Sequence, residues 1–174
     1  MPLQILVEGR PGSGKTTVAA RLADRLRAVR VPVRGFVTHE VRVQGVRLGF
    51  EVATLQGRKA MLAHVDFAGP PRVGKYGVDL DAFERVALPA LARPPKNGVV
   101  LVDELGKMEL ASSRFRDRVV ELLAEPVHLV ATIHVARHPF TDALKRRVDV
   151  ERVQVTRANR DELPALLAER LLAR

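Results

Sequence analysis

The segment Gly9-Arg10-Pro11-Gly12-Ser13-Gly14-Lys15-Thr16 satisfies G-x-x-x-x-G-K-[ST] at every position, between an apolar run and an amphipathic one. Such a loop demands a strand before it and a helix after it. Its glycines let consecutive backbone N–H groups turn inward around an anion. The following helix adds unpaired first-turn N–H groups and the positive end of its dipole. Lys15 is placed to reach the β- and γ-phosphates of a nucleoside triphosphate, and the Thr16 hydroxyl to ligate Mg2+. A chance match to this motif in a chain of ordinary size and composition is on the order of one in a hundred.

The rest of the chain supplies what the loop demands. Leu3–Val7 has the length of a buried strand, and from Lys15 the pattern turns helical, with Val18, Leu22, Leu26 and Val29 on one stripe. Pro32 stops that helix. Val33–Thr38 reads as a second strand, and residues 41–64 alternate apolar and polar with glycines at 45, 49 and 57, the pattern of hairpins. Residues 69–77 (GPPRVGKYG) read as a loop. A helix follows, with Asp81 as cap, Glu84 as its capping-box partner and Pro89 to kink or end it.

Val99–Val102 is unbroken apolar sequence, as a strand buried on both faces requires. Ser112 caps a helix with Phe115, Val119, Leu122 and Leu123 on one face. Then come a strand at His128–Ile133, a short helix near 140–146, a strand at Val150–Val155 and a closing helix at Asp161–Leu172. That last helix turns Leu163, Leu166, Leu167 and Leu171 inward. Strands alternating with helices predict an α/β fold of three layers, a mostly parallel sheet with helices on both faces, in one domain spanning 1–174. Right-handed crossovers bring the C-terminal strand ends to one edge, where such sheets bind ligands. Residues 9–16 and Asp103–Glu104 share that edge.

Composition narrows the chemistry. There is no Cys, so no thiolate metal site and no cysteine nucleophile, and His39, His64, His128, His134 and His138 lack metal-ligand spacing. No apolar run is long enough to span a bilayer, and the N-terminus runs straight into the motif region, so a cytoplasmic protein is expected. The net charge of +9 admits a nucleic-acid partner but does not favour one, because the basic residues are dispersed rather than gathered in a tract. The expected partner is the nucleoside triphosphate, and the expected state a monomer.

The strand at Val99–Val102 ends in Asp103 and Glu104. Asp103 would hold the magnesium opposite Thr16, and Glu104 would orient and polarise an attacking water. Asp103-Glu104-Leu105-Gly106 also fits the D-x-x-G of GTPase switches, but no N/T-K-x-D motif for guanine is present. Adjacent acids favour the NTPase class with an additional strand between the loop strand and the acidic strand. Thr132 is then either a polar group near the γ-phosphate or a threonine facing its own sheet neighbours.

With these residues in place, the chain resembles the small P-loop nucleoside-triphosphatases typified by a hyperthermophile enzyme and the human cancer-related NTPase. The resemblance rests on residues 9–17, Gly35-Phe36-Val37-Thr38, Gly49-Phe50, residues 69–77, DELGKMEL at 103–110 and Thr156-Arg157-Ala158-Asn159-Arg160. It implies a three-layer P-loop NTPase fold of the additional-strand class with an inserted β-hairpin. It also implies slow, magnesium-dependent hydrolysis of ATP, GTP and other triphosphates.

The candidate nucleotide-binding set is Gly9, Arg10, Pro11, Gly12, Ser13, Gly14, Lys15, Thr16 and Thr17, with Thr16 and Asp103 for Mg2+ and Lys15 and Glu104 as catalytic groups. The resemblance adds Lys107 as a cation beside the γ-phosphate. Asn159 and Arg160 are candidates for the base site, with Asn159 or Asp161 as a helix cap the alternative. Arg72 and Lys75 would fold over the triphosphate or simply form a solvated loop. Arg137, Lys145, Arg146 and Arg147 would form a lid or a charged helix face. Two other functions remain open: a nucleotide or metabolite kinase, and a nucleotide-dependent nucleic-acid- or protein-binding module.

Overall fold

The computed structural model describes residues 1–173. Strands and helices follow one another as β1 (Gln4–Gly9), α1 (Lys15–Ala28), β2 (Val33–Val43), β3 (Val46–Thr54), β4 (Lys59–His64), β5 (Arg72–Val73), β6 (Tyr76–Val78), α2 (Leu80–Ala90), β7 (Val99–Leu105), α3 (Ser113–Ala124), β8 (His128–His134), α4 (Pro139–Lys145), β9 (Glu151–Gln154) and α5 (Leu163–Leu172). A 3-10 turn at Glu109–Ala111 precedes α3. One sheet carries the strands in the order β5-β6-β4-β3-β2-β7-β8-β1-β9.

The pairs β2·β7, β7·β8, β8·β1 and β1·β9 are parallel, while β3, β4, β6 and β5 extend the sheet antiparallel. The predicted additional strand is β8, lying between β1 and β7. The insertion is larger than one hairpin, because β3, β4, β6 and β5 add four antiparallel pairs beyond β2. β2 leaves β7 after Phe36 and runs on to Val43, so the β2–β3 hairpin projects past the parallel strands. Its tip turns at Gln44 and Gly45, both with positive φ (49° and 78°), the backbone that a two-residue hairpin needs.

Two apolar cores lie on opposite faces of the sheet. One packs α2 and α3 against β2, β7 and β8 around the rings of Phe36, Phe83 and Phe115, centroids 5.2–5.8 Å apart, with Phe83 edge-to-face to both others. The other packs α1 and α5 against β1, β7 and β8 through Val18, Leu22, Leu26, Leu163 and Leu167. Gly35 joins the parallel and antiparallel halves. Its φ is 121°, and a Cβ there would lie 1.7 Å from the Leu101 carbonyl oxygen, so β2 approaches β7 this closely only without a side chain.

Several local readings need correction. Asp79, not Asp81, caps α2, its carboxylate accepting from the Ala82 N–H at 2.9 Å. Glu84 instead accepts from the Ser112 hydroxyl (2.7 Å) and pairs with Arg114. Residues 72–78 are a tight hairpin rather than a plain loop, turning at Gly74 and Lys75 so that Val73 pairs with Tyr76. Val29 falls past the end of α1 and is 56% exposed, and Leu166 faces outward from α5. That final helix begins at Leu163, with Pro164 in its first turn, where a missing N–H costs nothing.

Candidate active site

The loop after β1 is built for an anion. Gly12 and Gly14 take positive φ (76° and 106°), and the Ser13 N–H donates to the Arg10 carbonyl at 3.0 Å, closing the turn. Gly14 is the N-cap of α1 and offers no side-chain cap, so the first-turn N–H groups are available to a ligand. Arg10, Pro11 and Gly12 are exposed on the rim, and Thr16 and Thr17 face outward from the first turn. Lys15 is buried, its Nζ donating to the carbonyls of Gly9 (2.8 Å) and Arg10 (3.2 Å). Both acceptors belong to the loop that would hold the phosphates.

The acidic pair is brought to the same edge by an irregularity in β7. In a regular strand, consecutive residues point to opposite faces. Here the pairing of β7 with β8 slips between Val102↔Ala131 and Leu105↔Ile133, so Asp103 and Glu104 together oppose Thr132. A bulge of this kind re-aims side chains. Thr132 and His134 share one face of β8, and the two acids reach one each. Asp103 Oδ1 accepts from the Thr132 hydroxyl at 2.6 Å, and Glu104 Oε1 lies 2.5 Å from His134 Nε2. Thr132 therefore contacts the acidic strand directly.

Asp103 is fully buried. Burial pushes its carboxyl up, and the neighbouring charge of Glu104 adds to this, while the hydroxyls of Thr132 and Thr16 and the Thr38 backbone act in the opposite direction. The Thr38 hydroxyl donates to the Asp103 carbonyl at 3.0 Å, tying the Gly35–Thr38 segment to the site. Asp103 Oδ2 is buried with no protein partner among the described residues. Such an orphaned atom is costly unless something else ligates it. An unpartnered carboxylate oxygen beside a threonine hydroxyl is a hard-oxygen donor set, which fits a divalent cation such as Mg2+.

Two charged groups that motif reasoning left without a role also belong to this edge. Glu109 is 4% exposed, and burial first, then the charges of Glu104 and Asp103, raise its carboxyl to about 8. A Cβ on Gly106 would lie 2.7 Å from Glu109 Oε2 and 3.0 Å from Glu104 Oε1, so these two carboxyls are neighbours. Glu8, directly before the loop, is also buried. It pairs with Lys145 (3.2 Å) and Arg152 (2.7 Å) and accepts from the Gln154 amide (3.0 Å). Burial alone would raise the Glu8 carboxyl, but the hydrogen bonds from Arg152 and Lys145 outweigh it and hold the group low.

The weaker candidates separate. Lys107 is exposed on the turn after Glu104 and makes no ion pair among the described residues. Arg160 packs against the loop, its Cδ 3.1 Å from where a Cβ on Gly14 would stand. Asn159 does not present its amide to a ligand. Its Oδ1 accepts from the Thr156 N–H and its Nδ2 donates to the Gln154 carbonyl, both at 2.8 Å. Asp161 pairs with Arg21 instead of capping α5.

Arg72 is occupied too, donating to the carbonyls of Phe67 (3.0 Å) and Lys75 (2.9 Å). It sits on β5, with six strands between it and β1, roughly 30 Å along the sheet at ordinary strand spacing. Lys75 stacks over its neighbour Tyr76. Of the proposed lid, Lys145 is committed to Glu8, Arg147 to Asp149 and Arg137 to Asp142.

A family model described as NTPase matches residues 4–168. The nucleoside-triphosphatase THEP1 of Methanothermobacter thermautotrophicus is 40% identical, over 92% of this chain and 91% of that protein. The cancer-related nucleoside-triphosphatase of Homo sapiens is 38% identical, over 94% and 93%. Among solved structures, the crystal structure of THEP1 from Aquifex aeolicus superposes with a TM-score of 0.88 at 34% identity, covering 97% of this chain and 99% of that one. The solution structure of the human cancer-related nucleoside triphosphatase gives 0.84 at 37%, covering 99% of each.

Proposed function

The chain belongs to this NTPase family and is a nucleoside-triphosphatase, and from that premise we propose that it hydrolyses ATP, GTP and other triphosphates with Mg2+, slowly and with little selectivity for the base. Residues 9–17 cradle the triphosphate, with Lys15 leaving its loop carbonyls for the β- and γ-phosphates. Thr16 and Asp103 hold the metal. When bound, Mg2+ neutralises charge on the β- and γ-oxygens. Glu104 aligns the attacking water and takes its proton as the bond to the γ-phosphorus forms. The electron pair of the breaking bond leaves on the β-phosphate oxygen. Lys107, exposed on the turn beside Glu104, supplies a cation to the γ-oxygens, and Arg160, lying on Gly14, offers a guanidinium plane to any base.

The observation that carries this reading is the bulge that turns Asp103 and Glu104 to one face at the loop edge. Water is favoured over a second acceptor because Arg72, Lys75 and Lys145, the cations an acceptor lid would use, are engaged elsewhere. The test is to incubate the protein with Mg2+ and each nucleoside triphosphate and separate the products. Diphosphate and free phosphate from every base, with no acceptor added, are expected. Consumption only when an acceptor is supplied would instead identify a kinase.

A further inference from the structure

We propose that His134 is a positioning residue for hydrolysis in this chain: its Nε2 holds Oε1 of Glu104 and leaves Oε2 free to take the proton of the attacking water. This rests on the hydrolytic reading above and assigns a part to a residue outside the loop and the acidic pair.

A glutamate at a strand end has three side-chain torsions, and water activation requires one orientation of its carboxylate. Glu104 has few means of holding that orientation. Its neighbour across Gly106 is the carboxyl of Glu109, which makes no hydrogen bond to it among the described residues. Asp103 is engaged with Thr132. Among the described residues, His134 is the one side chain whose nitrogen approaches the Glu104 carboxylate, at 2.5 Å. It occupies one carboxylate oxygen and leaves the other.

The histidine is itself held from two sides. Gly9 lies opposite it on β1, so the strand that launches the phosphate loop sets its register. Lys145 of α4 donates to the His134 carbonyl at 3.2 Å. Lys145 is in turn pinned by the buried Glu8, itself fixed by Arg152 and Gln154 of β9. The chain of contacts runs from β9 through Glu8, Lys145 and His134 to Glu104. It gives the buried Glu8 network, otherwise unrelated to phosphate chemistry, a place in setting the carboxylate. In the reaction, water oxygen bonds to the γ-phosphorus, its proton passes to Glu104 Oε2, and the bridging oxygen leaves with the diphosphate. His134 gains and loses nothing.

The experiment measures phosphate-release kcat and KM, with Tm as a fold control, for wild type, Glu104→Gln, His134→Leu and His134→Gln. His134→Leu removes the nitrogen, and His134→Gln restores an N–H donor near the Nε2 position. Expected are a kcat about 10–100-fold lower in His134→Leu with KM unchanged, and recovery of most of that loss in His134→Gln. Adding His134→Leu to Glu104→Gln should cost nothing further. Wild-type kcat in His134→Leu, or no recovery in His134→Gln, overturns the proposal. If Glu104→Gln is slow while His134→Leu is normal, only this inference falls; if Glu104→Gln turns over normally, the hydrolytic reading falls with it.

Discussion

The two halves of the sheet handle charge in opposite ways. In the antiparallel wing, the outer part of β2 with β3 to β6, cations sit outside and are matched locally. Arg42 and Arg47 share Glu40, Lys59 pairs with Glu51, and Arg72 ties its own hairpin together. In the parallel half, Glu8, Lys15, Asp103 and Glu109 are buried at or near one edge, and Asp103 keeps an oxygen without a partner among the described residues. Burying charge is expensive, and a fold accepts that cost where a ligand completes the set. On the proposed reading the wing flanks the molecule, and the parallel half performs the chemistry.

Removing a charge should therefore act differently in the two halves, and the largest effect is expected in the loop. Lys15→Ala should reduce phosphate release by at least about 100-fold, because on the proposed reading it removes the cation that would face the developing γ-phosphate charge. A phosphate-release assay at saturating nucleotide checks this. Next is the junction between the halves. Gly35→Ala drives a Cβ into the Leu101 carbonyl and should cost at least about 3 kcal/mol in urea unfolding. It should also disturb the Thr38–Asp103 link and hence turnover.

Glu109 offers a test of the inward charges by pH. Its carboxyl stands at about 8 in the folded protein against an ordinary 4.5. The unfolded chain thus gives up this proton first, so the contribution to stability falls as pH rises from about 4.5 to about 8 and then levels off. Glu109→Gln removes that loss. Its Tm without metal should exceed wild type by a margin that grows through this window and vanishes near pH 4. The smallest effect belongs to the wing, where Arg72→Ala should cost less than about 1 kcal/mol and leave kcat unchanged. A large loss of turnover there would break the division between the halves.

How far the sequence alone reaches follows the same division. The loop, the acidic strand end and the additional strand are legible because short spacing and continuous apolar runs mark them, whereas Thr132 kept two readings open in the sequence and in the structure bonds Asp103 of the neighbouring strand. The wing was less legible. Gly and Pro in residues 69–77 read as a loop, whereas Val73 and Tyr76 flank a two-residue turn and pair. Asp81 was two residues from the true cap, Asp79, because both precede the same apolar stripe and only backbone geometry chooses between them. Glu8, Glu109 and His134 carry no local signal. A glutamate inside β1 and a histidine ending β8 gain meaning only when the sheet order makes them neighbours of the loop and of Glu104. The register slip that lets adjacent acids share a face is likewise invisible in Val-Asp-Glu-Leu.

On the proposed reading, the P-loop edge of the parallel half hydrolyses triphosphate with Glu104 activating water. Glu104→Gln tests it most directly, with Mg2+–nucleotide affinity and phosphate release measured on the same preparation. The expected result is affinity close to wild type with release slowed at least about 100-fold; release at the wild-type rate would contradict the account.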